Sequence, residues 1–242
     1  LNIPLAAPTL DALRRELTAL TDPVRAQHAL RYFKIGPGQY GEGDRFLGIR
    51  VPELRRLVRR YRSLPLSDTL LLLRSEWHEE RLLALLLMVQ RFGKAAADER
   101  QQILAAYLAH TAWINNWDLV DSSAAQIVGA SLGADRSLLD RLSSSGSLWE
   151  RRIAVVATFD LIRRGDYGDT LRLCERLLSE REDLLHKACG WALREVGKRD
   201  LAVLREFLTR HAGSMPRTML RYAIERLPAE ERRRWLAEKR QA

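Results

Sequence analysis

Three tryptophans set the period of this chain: Trp77, Trp113 and Trp149 stand 36 residues apart, and two further steps land on Leu185 and Arg221. Each position opens a segment with helical spacing of its apolar residues: WHEERLLALLLMVQ, WINNWDLVDSSAAQ, WERRIAVVATFDLI, LHKACGWALREVGK and, as the weakest copy, RYAIERLPAEERRR. A unit of this length holds two antiparallel helices and cannot bury its apolar face alone, so neighbours must stack. The period therefore predicts an all-α chain, an alpha-solenoid superhelix of HEAT-like antiparallel helix pairs. Tetratricopeptide units are similar in length, but their Trp, Leu-Gly and Tyr signature is missing. No Pro/Gly/Ser-rich stretch longer than a loop interrupts residues 1–242, which read as a single HEAT-like repeat domain.

Composition agrees with helices and narrows the partner. Hydrophobic residues make up 46% of the chain, enough for a real core, while 14 glycines and 8 prolines are few for a sandwich or barrel. Helix starts are expected at Thr21-Asp22-Pro23, Val51-Pro52-Glu53, Ser67-Asp68, Ser147 and Pro228, where a capping residue or first-turn proline precedes an amphipathic run. Basic residues outnumber acidic ones by 40 to 31, a net charge of +9 carried mostly by arginine, which favours a polyanion: nucleic acid first, a membrane surface second. The longest apolar run, Leu82 to Val89, falls short of the roughly 20 residues of a membrane span. Two cysteines, Cys174 and Cys189, neither staple a chain of this length nor show metal-ligand spacing, so a reducing, cytoplasmic location is expected. The chain opens at Leu1 rather than at methionine, as expected if native residues precede it.

Two strings invite chemistry and fail the context test. Gly36 to Gly41 contains GxGxxG, but no strand precedes it and no helix opens on its third glycine, so Gly36 to Asp44 reads as a flexible surface loop rather than a dinucleotide site. His78-Glu79-Glu80 lacks the second histidine of a zinc-protease helix, and no GxSxG is present.

Repeats supply their own control, because one register seen in several copies shows what packing alone requires. Eight residues past each origin stand Leu85, Asp121, Ala157, Leu193 and Ala229, so Asp121 is the one polar member of an apolar column. Six past the origin stand Leu83, Leu119, Val155, Trp191 and Leu227, where Trp191 replaces a mid-sized aliphatic. Asp121 follows Trp117 by one helical turn, and Arg152 and Trp191 lie on the corresponding helices of the next two repeats. A carboxylate, an arginine and two indoles on equivalent helices make a cation-recognition site, since indole faces and a carboxylate both favour positive charge.

The segments Trp117-Asp118-Leu119-Val120-Asp121, Trp149-Glu150-Arg151-Arg152 and Gly190-Trp191-Ala192-Leu193-Arg194-Glu195, preceded by Tyr32-Phe33 and Arg50-Val51-Pro52, resemble the signature segments of the AlkD family of DNA alkylation repair glycosylases. The likeness runs in the family's order from about Leu30 to Lys198 and departs from it at Asp183-Leu184, where some members carry a bulky aromatic pair. It implies a HEAT-like superhelix that cups duplex DNA and removes N3-methyladenine and N7-methylguanine without metal or cofactor, capturing the lesion while it stays largely in the duplex. Asp121 would be the catalytic carboxylate, Trp117 and Trp191 the aromatic walls beside the deoxyribose, and Arg152 the partner holding the backbone and the site's geometry. Tyr32 would contact DNA, and Lys187, Arg194, Lys198 and Arg199 would supply phosphate contacts ahead of the run Arg55, Arg56, Arg59, Arg60 and Arg62, whose plainer reading is a solvated helix face. The expected form is a monomer without an obligate protein partner. The rival from another class is a non-catalytic HEAT-repeat scaffold for nucleic acid or an acidic protein, which leaves Asp121 unexplained.

Overall fold

The structure is a computed structural model that describes residues 9–237. Its architecture is all-α: fourteen α-helices and no strand among the described residues, with one isolated bridge pairing Arg45 and Trp77. Contacts cluster into two compact units, one running to Ser123 and the other from Ala124.

The first unit holds α1 (Leu10–Ala19), α2 (Pro23–Tyr32), α3 (Val51–Arg60), α4 (Leu66–Leu73), α5 (His78–Phe92), α6 (Ala97–Ala109) and the short α7 (Trp117–Asp121). Its centre is α5, against which α3, α4, α6 and α7 pack. Leu13, Leu54, Leu72, Leu83, Leu85, Ile103 and Tyr107 are fully enclosed there. Local signals place the ends: the Asp22 carboxylate accepts the Arg25 N–H at 2.9 Å, with Pro23 in the first turn of α2. In α3, Pro52 likewise occupies the first turn.

The second unit opens with a π-helical turn (Ala125–Gly129) and continues through α8 (Ser137–Ser143), α9 (Leu148–Arg163), α10 (Gly168–Arg176), α11 (Asp183–Arg199), α12 (Leu201–His211), α13 (Arg217–Ala223) and α14 (Ala229–Ala237). The long helices α9 and α11 pack on each other, and each also packs on its shorter sequence neighbours, α8 and α10 around α9, α10 and α12 around α11. Loops this short between packed helices reverse the chain, giving the antiparallel pairs that the period predicts. Cys174 and Cys189 both lie in this core, as free thiols. Among the described residues, no helix is long and apolar enough to cross a membrane.

Helix starts expected at Ser147 and Pro228 agree with α9 and α14, whereas α4 begins at Leu66, just ahead of Ser67-Asp68. The tryptophan register is less even than its spacing. Trp77 stands at the N-cap of α5 and Trp149 in the first turn of α9, both half-buried, but Trp113 ends a 3-10 turn (Thr111–Trp113) and is 40% exposed. The helix that Trp113 was expected to open begins four residues later, where Asn116 accepts the Trp117 N–H at 2.8 Å and caps α7.

Gly190, in the middle of α11, is where α13 comes closest. A Cβ there would lie 2.4 Å from the Met219 carbonyl oxygen and 2.5 Å from Tyr222 Cβ. Alanine at an unobstructed helix position gains up to about 1 kcal/mol over glycine. Here backbone stands in the way, so Gly190→Ala is expected to lose about 2 kcal/mol net. For a chain of this size that is a drop of roughly 4–8 °C in Tm. An unchanged or raised Tm in a thermal melt would show that α13 can yield.

Candidate active site

In the first unit the site is built on α7, a helix of only five residues whose sequence is WDLVD. Such a helix cannot hold itself, because nucleation costs more than one turn returns. Neighbours hold it instead. Leu119 and Val120 are fully buried on one side. The Phe33 ring stacks on the Trp117 indole at 5.6 Å, with 23° between planes, and Tyr32 meets that indole edge-on at 5.9 Å. Tyr32 is 65% exposed, so an aromatic pair opens to solvent at the end of α2 beside Trp117.

The motif contains two carboxylates, and the structure separates them. Asp118 is engaged: its Oδ2 lies 2.8 Å from His78 Nε2 and its Oδ1 accepts the Leu119 N–H at 3.0 Å. Asp121 is half-buried at the end of α7, in a column where Leu85, Ala157 and Leu193 are fully buried and Ala229, in the weakest copy, is exposed. Below the helix, the enclosed Tyr107 hydroxyl meets Ser123 Oγ at 3.0 Å, and Ser123 donates to the Leu119 carbonyl at 2.6 Å. Burial holds the Tyr107 phenol far above its ordinary range, and the negative charge of Asp121 pushes it the same way.

His78 carries the polar hub of this unit. Its Nδ1 lies 3.2 Å from Asp44 Oδ2. Asp44 also accepts from Arg81 at 2.6 Å and from Asn116 at 2.9 Å. Burial disfavours the charged imidazole, but hydrogen bonds to Asp118 and Asp44 outweigh it and raise the His78 pKa to about 9. For Asp44 burial acts upward, and the His78 hydrogen bond, the Arg81 charge and the Asn116 amide outweigh it, so its carboxyl sits below the usual range. The loop expected to be a flexible surface feature is therefore tied down at its end. Its turns are closed by Gly36 N–H to Gln39 and Gly38 N–H to Glu42, and Asp44 is 5% exposed. Glu79 secures the following segment by accepting the N–H groups of Leu47, Gly48 and Ile49 at 2.8, 2.8 and 3.3 Å. Gly48 has φ +77°, and its bare Cα lets the Asp22 carbonyl approach within reach of a Cβ.

In the second unit Arg152 is buried on α9 and its Nη1 donates to the Leu184 carbonyl at 2.5 Å. Trp191, half-buried on α11, lies 4.4 Å from the Phe159 ring and donates its indole N–H to Glu195 at 3.3 Å. Of the cations expected to meet phosphate on this helix, three are met by a carboxylate, Lys187 by Asp183 at 2.8 Å, Lys198 by Glu195 at 2.6 Å and Arg194 by Glu225, while Arg199 has no such partner among the described residues. On α3 and just after it, in the first unit, Arg56 and Arg60 pair with Glu53 and Glu16, while Arg55, Arg59 and, beyond the helix end, Arg62 have no such partner among the described residues. Tyr32, Trp117 and Asp121 thus share the first unit, and Arg152 and Trp191 the second, with Lys187, Arg194 and Lys198.

Residues that sequence reasoning passed over are Asp44, His78, Asn116 and Asp118 in the first unit, and Phe159 and Glu195 in the second. The signals available were an Asn before WDLVD, which reads as an N-cap, and a charged string, HEER, at an apolar helix start. Among the described residues, no three His, Cys, Asp or Glu side chains are placed to hold a metal ion together.

The family model described as DNA alkylation repair enzyme matches residues 13–227. A solved structure described as a predicted DNA alkylation repair enzyme from Enterococcus faecalis is similar with a TM-score of 0.66 and 18% identity, over 86% of this chain and 97% of that one. At that identity the likeness is one of fold. No curated protein matches.

Proposed function

The chain belongs to the DNA alkylation repair enzyme family, and from that premise we propose that it is a monofunctional DNA glycosylase with a HEAT-like repeat fold, hydrolysing the N-glycosidic bond of cationic alkylated purines in duplex DNA. The observation that carries the reading is Asp121: a half-buried carboxylate in an otherwise apolar column, one turn beyond an indole stacked on Phe33 and flanked by Tyr32.

Alkylation at N3 of adenine or N7 of guanine makes the base cationic, so it departs neutral and needs no general acid. Positive charge builds instead on the deoxyribose, as in other glycosidic cleavages. Asp121 stabilises that charge and orients the attacking water, and the faces of Trp117 and Trp191 add about 0.5–2 kcal/mol each by cation-π attraction. Arg152 positions, through the Leu184 carbonyl and a DNA phosphate. Neutral lesions are not substrates, because no proton donor serves their leaving group.

The test is incubation with methylated duplex DNA and chromatography of the released bases. Release of N3-methyladenine and N7-methylguanine, with unmodified purines left in place, is expected; intact DNA after prolonged incubation would favour a non-catalytic binder.

Binding itself is expected to be electrostatic and without sequence preference, as phosphate contacts carry no base information. With Lys187, Arg194 and Lys198 already paired, the bare guanidinium groups of Arg55, Arg59, Arg62 and Arg199 become the first candidates for phosphate. If around five phosphates are neutralised, log K falls against log salt with a slope of roughly −4 to −5. A titration independent of salt would point to a protein partner instead.

A further inference from the structure

Four consecutive charged residues open α5, and all four, His78, Glu79, Glu80 and Arg81, are buried. Glu79 holds the 47–49 backbone and Glu80 lies 3.4 Å from Arg14. His78 is different, because both of its ring nitrogens face carboxylates. A neutral imidazole has one N–H and one lone pair, so either Asp44 or Asp118 would then confront a lone pair. Only the doubly protonated ring donates to both. Phe33 and Phe46, stacked on each other at 5.0 Å, both pack against the ring at 4.8 Å, and the side chain is buried, which keeps out the water that would otherwise soften the interaction.

Three links then converge on the first turn of α7. His78 grips Asp118; Asn116, which caps the helix, donates to the Asp44 oxygen that His78 also faces; and Phe33, packed on His78, stacks on Trp117. We propose that His78 is a positioning residue for base excision: a cation clamped between Asp44 and Asp118 that fixes the first turn of α7, and with it the direction of Trp117 and Asp121, without touching the substrate. The excision part of this rests on the glycosylase reading above; the clamp does not. The charged groups facing the ring are Asp44 from the loop, Asp118 from α7 and, through Asp44, Arg81 from α5 itself; Phe33 and Phe46 bring none.

Two measurements test it. In protein labelled with 15N-histidine, the His78 ring is expected to keep both nitrogen protons at neutral pH and to titrate near 9. Asp118→Asn should bring that titration down. In single-turnover excision from a duplex carrying one N7-methylguanine, His78→Gln is expected to slow release about 100-fold, the scale of a misplaced reacting group, with DNA affinity unchanged. Wild-type release should decline as pH rises through about 9, after correction for uncatalysed loss. Asp118→Asn should work more slowly at neutral pH yet lack that decline, because an amide can donate to the neutral ring. A His78 ring singly protonated at neutral pH, wild-type release by His78→Gln, or an Asp118→Asn pH profile that superimposes on wild type would each overturn the proposal. If the wild type releases no base, the glycosylase reading falls and the NMR titration alone decides the clamp.

Discussion

Asp121→Asn is expected to lower N7-methylguanine release about 100- to 1,000-fold, the ~3–4 kcal/mol that one preorganised group contributes at a developing charge. Asparagine keeps the size and loses the charge. Affinity for undamaged DNA should hold or tighten slightly, since phosphates present no cation to this carboxylate and one repulsive charge is gone. Arg152→Ala should differ by reducing both release and affinity, and also stability, because the buried guanidinium and its hydrogen bond to the Leu184 carbonyl are lost. Single-turnover excision beside a binding titration reads both variants. Near wild-type release by Asp121→Asn would place the chemistry elsewhere, and Asp118→Asn would not rescue that assignment, since Asp118 already serves His78 at 2.8 Å.

The second large effect is on stability against pH. The folded His78 pKa of about 9 lies above its ordinary 6.5, so its contribution is complete below pH 6.5 and disappears as pH rises through 9. At ~1.4 kcal/mol per unit the loss is about 3 kcal/mol, or roughly 6–12 °C in Tm. Asp44, whose pKa is lowered from 3.8, acts in the opposite direction: its contribution is complete above that value and is lost as pH falls further. These two groups together leave stability flat from about pH 5 to 6.5 and declining on the alkaline side. Thermal melts at pH 6, 7.5 and 9.5 check this, with His78→Gln as the reference for other alkaline titrations. A wild type that loses no more Tm than the variant would mean that the ring is not charged in the folded protein.

Much of this was legible from spacing. The 36-residue period led to paired helices because an apolar face at helical spacing has to be buried, and only stacking buries it in so short a unit. Columns of the repeat also singled out Asp121 and Trp191, and both are half-buried where their equivalents Leu85, Leu83 and Val155 are enclosed. Periodicity registers apolar burial and nothing else. It could not see that Trp113 ends a 3-10 turn instead of opening a helix, because Asn116, a capping residue, decides where α7 begins.

Tertiary contact decided the polar half of the site. Asp44 and His78 are separated by 34 residues, and Asp44 and Asn116 by 72. Hydrogen bonds over such distances leave no periodic trace, so a glycine-rich loop read as mobile turned out to end in a buried carboxylate. The same holds for charge: counting showed nine excess cations, but which of them stay bare depends on where carboxylates fall in space. Glu225 meets Arg194 from 31 residues away, and Glu16 meets Arg60 from 44. Apolar burial is a one-dimensional pattern that a helix repeats every turn, whereas pairing of buried or facing charges is set only when the chain has folded.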